Sequence, residues 1–267
     1  MMNELRVTTV QADLIWENRL DNLQKFDTLL QGIERSATDI IVLPEMFTTG
    51  FSMRPADLAE PMNDATLFWL KKKAWELDAA IVGSFICSEN AHFYNRLVWM
   101  QPDGHFETYD KRHRFSFANE HAFYTEGARR LMVEWRGWRI CPLICYDLRF
   151  PAWSRNAPAT FGEAEYYDVL IYVANWARAR RVAWQSLLTA RAIENQAYVV
   201  GVNRVGTDGN GIEHTGDTTV VDFAGETLFR RTNTEGVDTT IFIRQKLYDF
   251  RKKFGFLEDQ DAFEFIS

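Results

Sequence analysis

With 267 residues the chain can fold as one large domain or two small ones and bury a substantial core. Hydrophobic residues make up 46% and charged residues 25%, an ordinary balance for a soluble protein; the net charge of −7 argues against nucleic acid, which binds to a basic face. No apolar run approaches the ~20 residues a bilayer requires, three cysteines cannot all pair, and no charged-then-apolar leader precedes the first strand, so a reducing cytoplasm is the expected compartment.

Residues 6–12 read as a first strand. Leu20, Leu23, Phe26, Leu30 and Ile33 then recur at three- and four-residue steps, the apolar stripe of an amphipathic helix. Residues 39–44 make a second, apolar strand closed by Pro44, which keeps its predecessor extended. Glu45 follows at once. A loop carboxylate is usually solvated, but this one has apolar residues on both sides, a setting that suits a general base. Residues 64–77 give a second helix, with Leu67, Leu70, Ala74 and Leu77 toward the core, and residues 79–86 a third strand. This β–α–β–α–β alternation indicates a layered α/β fold. Residues 93–101 and 105–109 flank Pro102-Asp103-Gly104, a turn signal that pairs them as an antiparallel hairpin. The second arm ends in Asp110-Lys111-Arg112-His113, so a charge again stands where a strand stops, although a basic loop cluster is ordinarily a solvated face.

Residues 115–124 have no clear period and mix aromatics with Glu120 and His121; they suit a loop folded over something. Residues 131–135 and 138–144 form a hairpin around Arg136-Gly137, and its second strand delivers Cys145. There the apolar run ends abruptly and Tyr146-Asp147-Leu148-Arg149 follows, which is how a buried strand presents a nucleophile at its carboxyl end. A strand cysteine is more often core than catalyst. Only this polar sequel sets Cys145 apart from Cys87 and Cys141, which lie inside apolar runs and are assigned to the core. Cys141 and Cys145 could be two metal ligands, but no further Cys or His lies at close zinc-site spacing, so no metal is expected.

Pro151 opens a short helix, and residues 156–165 are a polar insertion. Residues 168–174 form another apolar strand, closing in Asn175-Trp176. A long helix over 183–196 and a strand over 197–202 follow. The glycines of the loop 206–211 lack the following helix and Lys-Ser/Thr of a phosphate cradle, so no nucleotide cofactor is expected. Late strands at 218–222, 227–230 and 239–243 turn at Ala224-Gly225 and Glu235-Gly236; from 245 the tail is a charged helix with a Phe-rich, acidic end. No linker or low-complexity run interrupts the chain, so residues 1–267 read as a single domain.

Glu45, Lys111 and Cys145 thus each follow a strand, in the contexts Leu43-Pro44-Glu45, Tyr109-Asp110-Lys111 and Ile144-Cys145-Tyr146-Asp147-Leu148-Arg149-Phe150-Pro151. In that order they resemble the Glu–Lys–Cys triad of the nitrilase superfamily of carbon–nitrogen hydrolases. The resemblance implies a four-layer α-β-β-α sandwich, a homodimer whose sheets stack across the interface, and a small-molecule amide as partner, with no nucleic acid or membrane. Residues 188–199 and 203–211 are similar to the branch of bacterial omega-amidases acting on 2-oxo acid amides. That branch tends to have proline after the Asn-Trp pair. Here Ala177 follows, leading into Arg178, Arg180 and Arg181, so the wall of the acyl pocket is expected to differ.

On this resemblance Glu45 takes the thiol proton, Cys145 attacks the amide carbon, and Lys111 with the Tyr146 backbone N–H stabilises the oxyanion. Glu120 would be the second carboxylate, holding Lys111 and the substrate amide in register. The implied activity is a cofactor-free omega-amidase that releases ammonia from 2-oxoglutaramate or 2-oxosuccinamate through a cysteine thioester. The far carboxylate of such a substrate needs a basic anchor. Arg149, Arg178, Arg180, Arg181 and Arg204 are the candidates, and Arg149 and Arg178 are placed in the binding site with Asn175 and Trp176. Arg149 equally suits a structural ion pair behind the nucleophile, and Trp176 suits an apolar wall or the core. An N-carbamoyl-amide or nitrile hydrolase on the same scaffold is the sibling reading. A non-catalytic binding module is the reading from another class.

Overall fold

A computed structural model describes residues 2–265. Strands β1 (Glu4–Gln11), β2 (Ile40–Val42) and β3 (Ala80–Glu89) run parallel, linked by the helices Arg19–Leu30 and Ala65–Leu77. Parallel neighbours need such crossovers, and the amphipathic helices supply them. β4 (His92–Met100) and β5 (Phe106–Asp110) extend this sheet as an antiparallel meander. The second sheet begins with the hairpin β6 (Val133–Trp135) and β7 (Trp138–Ile144), then β8 (Val169–Ala174) and β9 (Tyr198–Asn203) parallel to β7. β10 (Val205–Thr207), β11 (Glu213–Val221) and β12 (Thr227–Thr232) close it in antiparallel pairs. β13 (Gly236–Ile243) returns to the first sheet, antiparallel to β1.

Side chains alternate along a strand, so each sheet feeds two cores. In β2, Ile40 and Val42 join the core shared with Ile140, Ile171 and Val200 of the second sheet, while Ile41 joins Leu23, Phe26, Leu70 and Ala74 of the two covering helices. Trp184, Leu188 and Ala192 of the Arg181–Asn195 helix and Leu247 of the Arg244–Lys253 helix pack on the second sheet. The result is the α-β-β-α sandwich. No helix among the described residues is long and apolar enough to cross a membrane.

The structure corrects several local expectations. β3 runs on to Glu89 and pairs with β4 through a tight turn at Asn90 and Ala91, both in the left-handed region at φ 50° and 63°. Asn suits such a turn, but Ala91 does not announce one. Leu20 is 71% exposed, off the buried stripe. Asn22 takes an inward place instead, its amide donating to the carbonyls of Ile15, Asn18 and Thr48. Residues 205–207, at the start of the expected glycine loop, form β10. The polar insertion contains a helical turn, Pro158–Phe161, and its Asn156 is fully buried, bridging Tyr167 and Asn195.

β9 meets the Arg181–Asn195 helix at Gly201, where an added Cβ would stand 2.5 Å from Leu188 Cδ1 and 2.8 Å from Trp184 Cζ2. Both side chains are fully buried and cannot retreat. Gly201→Ala should therefore destabilise the fold by about 1–3 kcal/mol through overpacking. Thermal denaturation checks this, and an unchanged Tm would contradict the packing described.

Candidate active site

The strands converge so that their carboxyl ends meet at one place, the usual position for a site in parallel α/β architecture. Glu45 lies just beyond β2, Lys111 directly after β5, Cys145 directly after β7 and Asn175 directly after β8. Glu45, Lys111 and Glu120 are all buried. Lys111 Nζ donates to Glu45 Oε1 at 2.8 Å and to both oxygens of Glu120 at 3.0 and 2.9 Å. Asn95, in β4, donates to Glu45 Oε1 at 2.8 Å and reaches Glu120 Oε1 at 3.4 Å. The Asn175 backbone N–H donates to Glu45 Oε2 at 2.8 Å, and its side-chain amide to the Glu45 carbonyl. Every lobe of the Glu45 carboxylate that these donors reach is thereby fixed.

The turns that carry these groups are held as firmly. Met46, next to Glu45, has φ 42°, and its N–H donates to Ser84 Oγ. Cys145 itself sits at φ 42°, where a non-glycine residue is strained and must be held by its surroundings. Asp147 does the holding: one oxygen accepts from the Ile144 N–H and the Tyr109 hydroxyl, the other from the His113 N–H and faces His113 Nδ1 at 2.7 Å. Asp147 thus ties the cysteine turn to the lysine turn. Tyr146 is the second residue of the short helical turn Cys145–Arg149, where backbone N–H groups have no intrahelical acceptor.

Electrostatics differ between the groups. Burial, and then the charge of Glu45, push the Cys145 thiol well above its ordinary value, against the pull of Lys111. Burial works against the Lys111 ammonium, but Glu120 and Glu45 outweigh it and raise the group above its usual range. Burial also raises Glu120, against the pull of Lys111 and with a further push from Glu45. Cys87 and Cys141 are buried away from this cluster, and burial pushes them up to about 11 and about 12, against the pull of Arg96 and Arg130 respectively. Among the described residues no group of three or more His, Cys, Asp or Glu is placed to hold a metal ion.

Cys145, Lys111 and Asn175 face a cavity of about 280 Å³. Phe51, Phe115 and Trp176 give it aromatic walls, Arg149 and Arg180 bring positive charge, and Asp208, Ile212 and His214 close the remaining side. Several sequence expectations need revision. Arg178 does not line the cavity; it is 60% exposed and paired with Glu213, because the chain turns outward after Ala177. Among the described residues Arg149 makes no ion pair behind Cys145: it lies in the cavity with its guanidinium 5.0 Å from the Trp176 ring centroid. Asn175 reaches the cavity, but its amide N–H is engaged with Glu45. Asn95, Asp147 and His214 escaped the sequence reading. The polar pair Asn95-Arg96 inside the otherwise apolar stretch 93–100 of β4 was the available signal for the first.

The carbon–nitrogen hydrolase family profile matches residues 6–249. Omega-amidase YafV of Escherichia coli (strain K12) is 44% identical over 264 residues, covering 98% of this chain and 99% of that protein. The 2-oxoglutaramate amidase of Bacillus subtilis (strain 168) is 31% identical over 256 residues, covering 95% and 96% of the two chains. Among solved structures, a CN-hydrolase superfamily protein of Xanthomonas campestris, with an arsenic adduct in its active site, superposes with a TM-score of 0.95 at 42% identity and covers 98% of this chain and 99% of its own.

The cavity also contains a titratable wall. Burial, and the positive charge of Arg204, push His214 down to about 4. The folded protein therefore keeps this imidazole neutral while the unfolded chain protonates it through about 6.5. Its contribution to stability is complete above pH 6.5 and is lost as the pH falls toward 4, about 2 kcal/mol by pH 5. His214→Gln should lose less Tm than the wild type between pH 7 and pH 5; equal losses in the two proteins would contradict this.

Proposed function

The chain belongs to the carbon–nitrogen hydrolase family, and on that premise we propose that it is an omega-amidase hydrolysing the terminal amide of a 2-oxo dicarboxylic acid monoamide. The substrate is 2-oxoglutaramate or 2-oxosuccinamate. The observation that carries this reading is the buried Glu45–Lys111–Glu120 cluster beside the cavity-facing sulfur of Cys145. The names and near full-length similarity of the Escherichia coli and Bacillus subtilis relatives support the substrate class.

Glu45 takes the thiol proton as Sγ attacks the amide carbon. A carboxylate fixed by Asn95, Asn175 and Lys111 needs no reorientation for that task. The tetrahedral oxyanion is met by the Lys111 ammonium and the Tyr146 backbone N–H. The C–N bond breaks, ammonia leaves with the proton from Glu45, and a thioester remains on Cys145. Water then gives a proton to Glu45 and attacks the thioester carbon; the C–S bond breaks and the proton returns to sulfur. Glu120 holds Lys111 from the other side throughout. A neutral resting thiol fits this order of events, because the base and the nucleophile act in one step.

The test is ammonia release from 2-oxoglutaramate, 2-oxosuccinamate, glutamine, asparagine, N-carbamoyl amino acids and a simple nitrile. The 2-oxo amides should be turned over fastest, with an acyl adduct on the wild type by intact mass. Cys145→Ala should lose at least about 1,000-fold in kcat and form no adduct. Nitrile or carbamoyl turnover exceeding that of the 2-oxo amides would replace the substrate assignment. No ammonia and no adduct from any compound would favour a binding module.

A further inference from the structure

We propose that Arg149 and Arg180 together form the anchor for the substrate's free carboxylate, so that a single negative charge at the far end of the acyl chain is a condition of efficient turnover. This rests on the amidase reading above. The other candidate arginines are already engaged. Arg178 pairs with Glu213 at 2.7 Å, Arg181 with Asp217 at 2.8 Å, and Arg204 with Asp13 at 2.7 Å. Arg149 and Arg180 differ. Among the described residues neither guanidinium meets a carboxylate within 4.0 Å or donates a hydrogen bond, and both line the cavity that holds Cys145.

Each guanidinium is instead laid against an aromatic ring. The Arg149 guanidinium carbon is 5.0 Å from the Trp176 ring centroid and that of Arg180 is 5.0 Å from Phe115. The Trp176 indole N–H donates to the Arg180 carbonyl at 2.9 Å, linking the two arms. Ring contacts of this kind leave the in-plane N–H forks free to meet the oxygens of a carboxylate. Two unpaired cations beside apolar walls also repel each other. Burial, with the charge of Arg149 adding to it, draws Arg180 below its ordinary value. An anion bound between them relieves both effects.

The cavity therefore has a direction. Its reacting end carries the carboxylates of Glu45 and Glu120 around Lys111, which disfavours an anionic group there and accepts a neutral amide. The Trp176 and Phe115 walls of the same cavity carry two guanidiniums that meet no carboxylate among the described residues. Asp208, on the same cavity wall, accepts from the backbone N–H groups of Asn210 and Ile212 through Oδ1 and makes no ion pair with either guanidinium. A chain with one carboxylate and one amide matches this polarity. The dianionic product places its new carboxylate among acids and is expelled.

The experiment compares Arg149→Met, Arg180→Met and the double variant on 2-oxoglutaramate and on valeramide, an uncharged amide of the same chain length. Each single variant should lower kcat/KM for the anion roughly 10- to 100-fold, mainly through KM, and change that for valeramide less than about threefold. Arg149→Lys should recover only part of the loss, since an ammonium lacks the fork. Equal losses on both substrates, or an unchanged KM for the anion, would overturn the anchor. Should the wild type hydrolyse neither amide, the amidase reading fails separately. The anchor is then judged by calorimetric binding of 2-oxovalerate to Cys145→Ala, which must weaken at least tenfold on adding Arg149→Met and Arg180→Met.

Discussion

A single buried ammonium organises the residues around the Cys145 cavity. Lys111 is fully enclosed, and its three close contacts go to two carboxylates that arrive from separate parts of the chain. Glu45 follows a parallel strand of the first sheet, and Glu120 opens a short helical turn beyond β5, an edge strand of that sheet. Charges removed from water are tolerated only when paired and hydrogen-bonded, and loss of one partner from such a group costs about 3–5 kcal/mol. The cluster is thus both a fastening between three segments and a source of local field. Its carboxylates outnumber its ammonium. Burial first, and then the charge of Glu45, hold the neighbouring thiol above its ordinary range despite the lysine beside it.

The proposed nucleophile, Cys145, depends on a second fastening. The left-handed backbone at Cys145 costs about 1–3 kcal/mol and persists only where the surroundings over-determine it. Asp147 meets that need with donors from Ile144, Tyr109 and His113, and Trp153 Nε1–H donates to the same Tyr109 hydroxyl at 3.0 Å. His113 is further clamped by stacking on Phe150, with ring centroids 3.7 Å apart. The lysine turn and the cysteine turn therefore move as one unit. Their relative position is set by a buried carboxylate that touches neither reacting group.

Much of this was readable in the residues. The apolar strands, the two early helices and the charged positions after strands followed from periodicity and from abrupt changes of polarity. What escaped was decided by contacts between distant segments. Leu20 fitted the helical stripe, but Asn22 won the buried position because three carbonyls awaited its amide. Five arginines looked alike as carboxylate anchors until their acids were known. Glu213, Asp217 and Asp13 each claimed one, and no local pattern records that. Asp147 stood in plain view beside the cysteine, yet its work lies in Tyr109 and His113, more than thirty residues earlier in the chain.

Cys145 is held toward its neutral thiol by burial and Glu45, and in the proposed mechanism it loses its proton only during attack. The direct measurement is a pH titration of thiolate ultraviolet absorbance, taken as the difference between the wild type and Cys145→Ala. No thiolate step is expected below about pH 9, the ordinary thiol range. A step near pH 7 or lower would mean that Lys111 dominates the sulfur, and the order of proton transfer described here would be wrong.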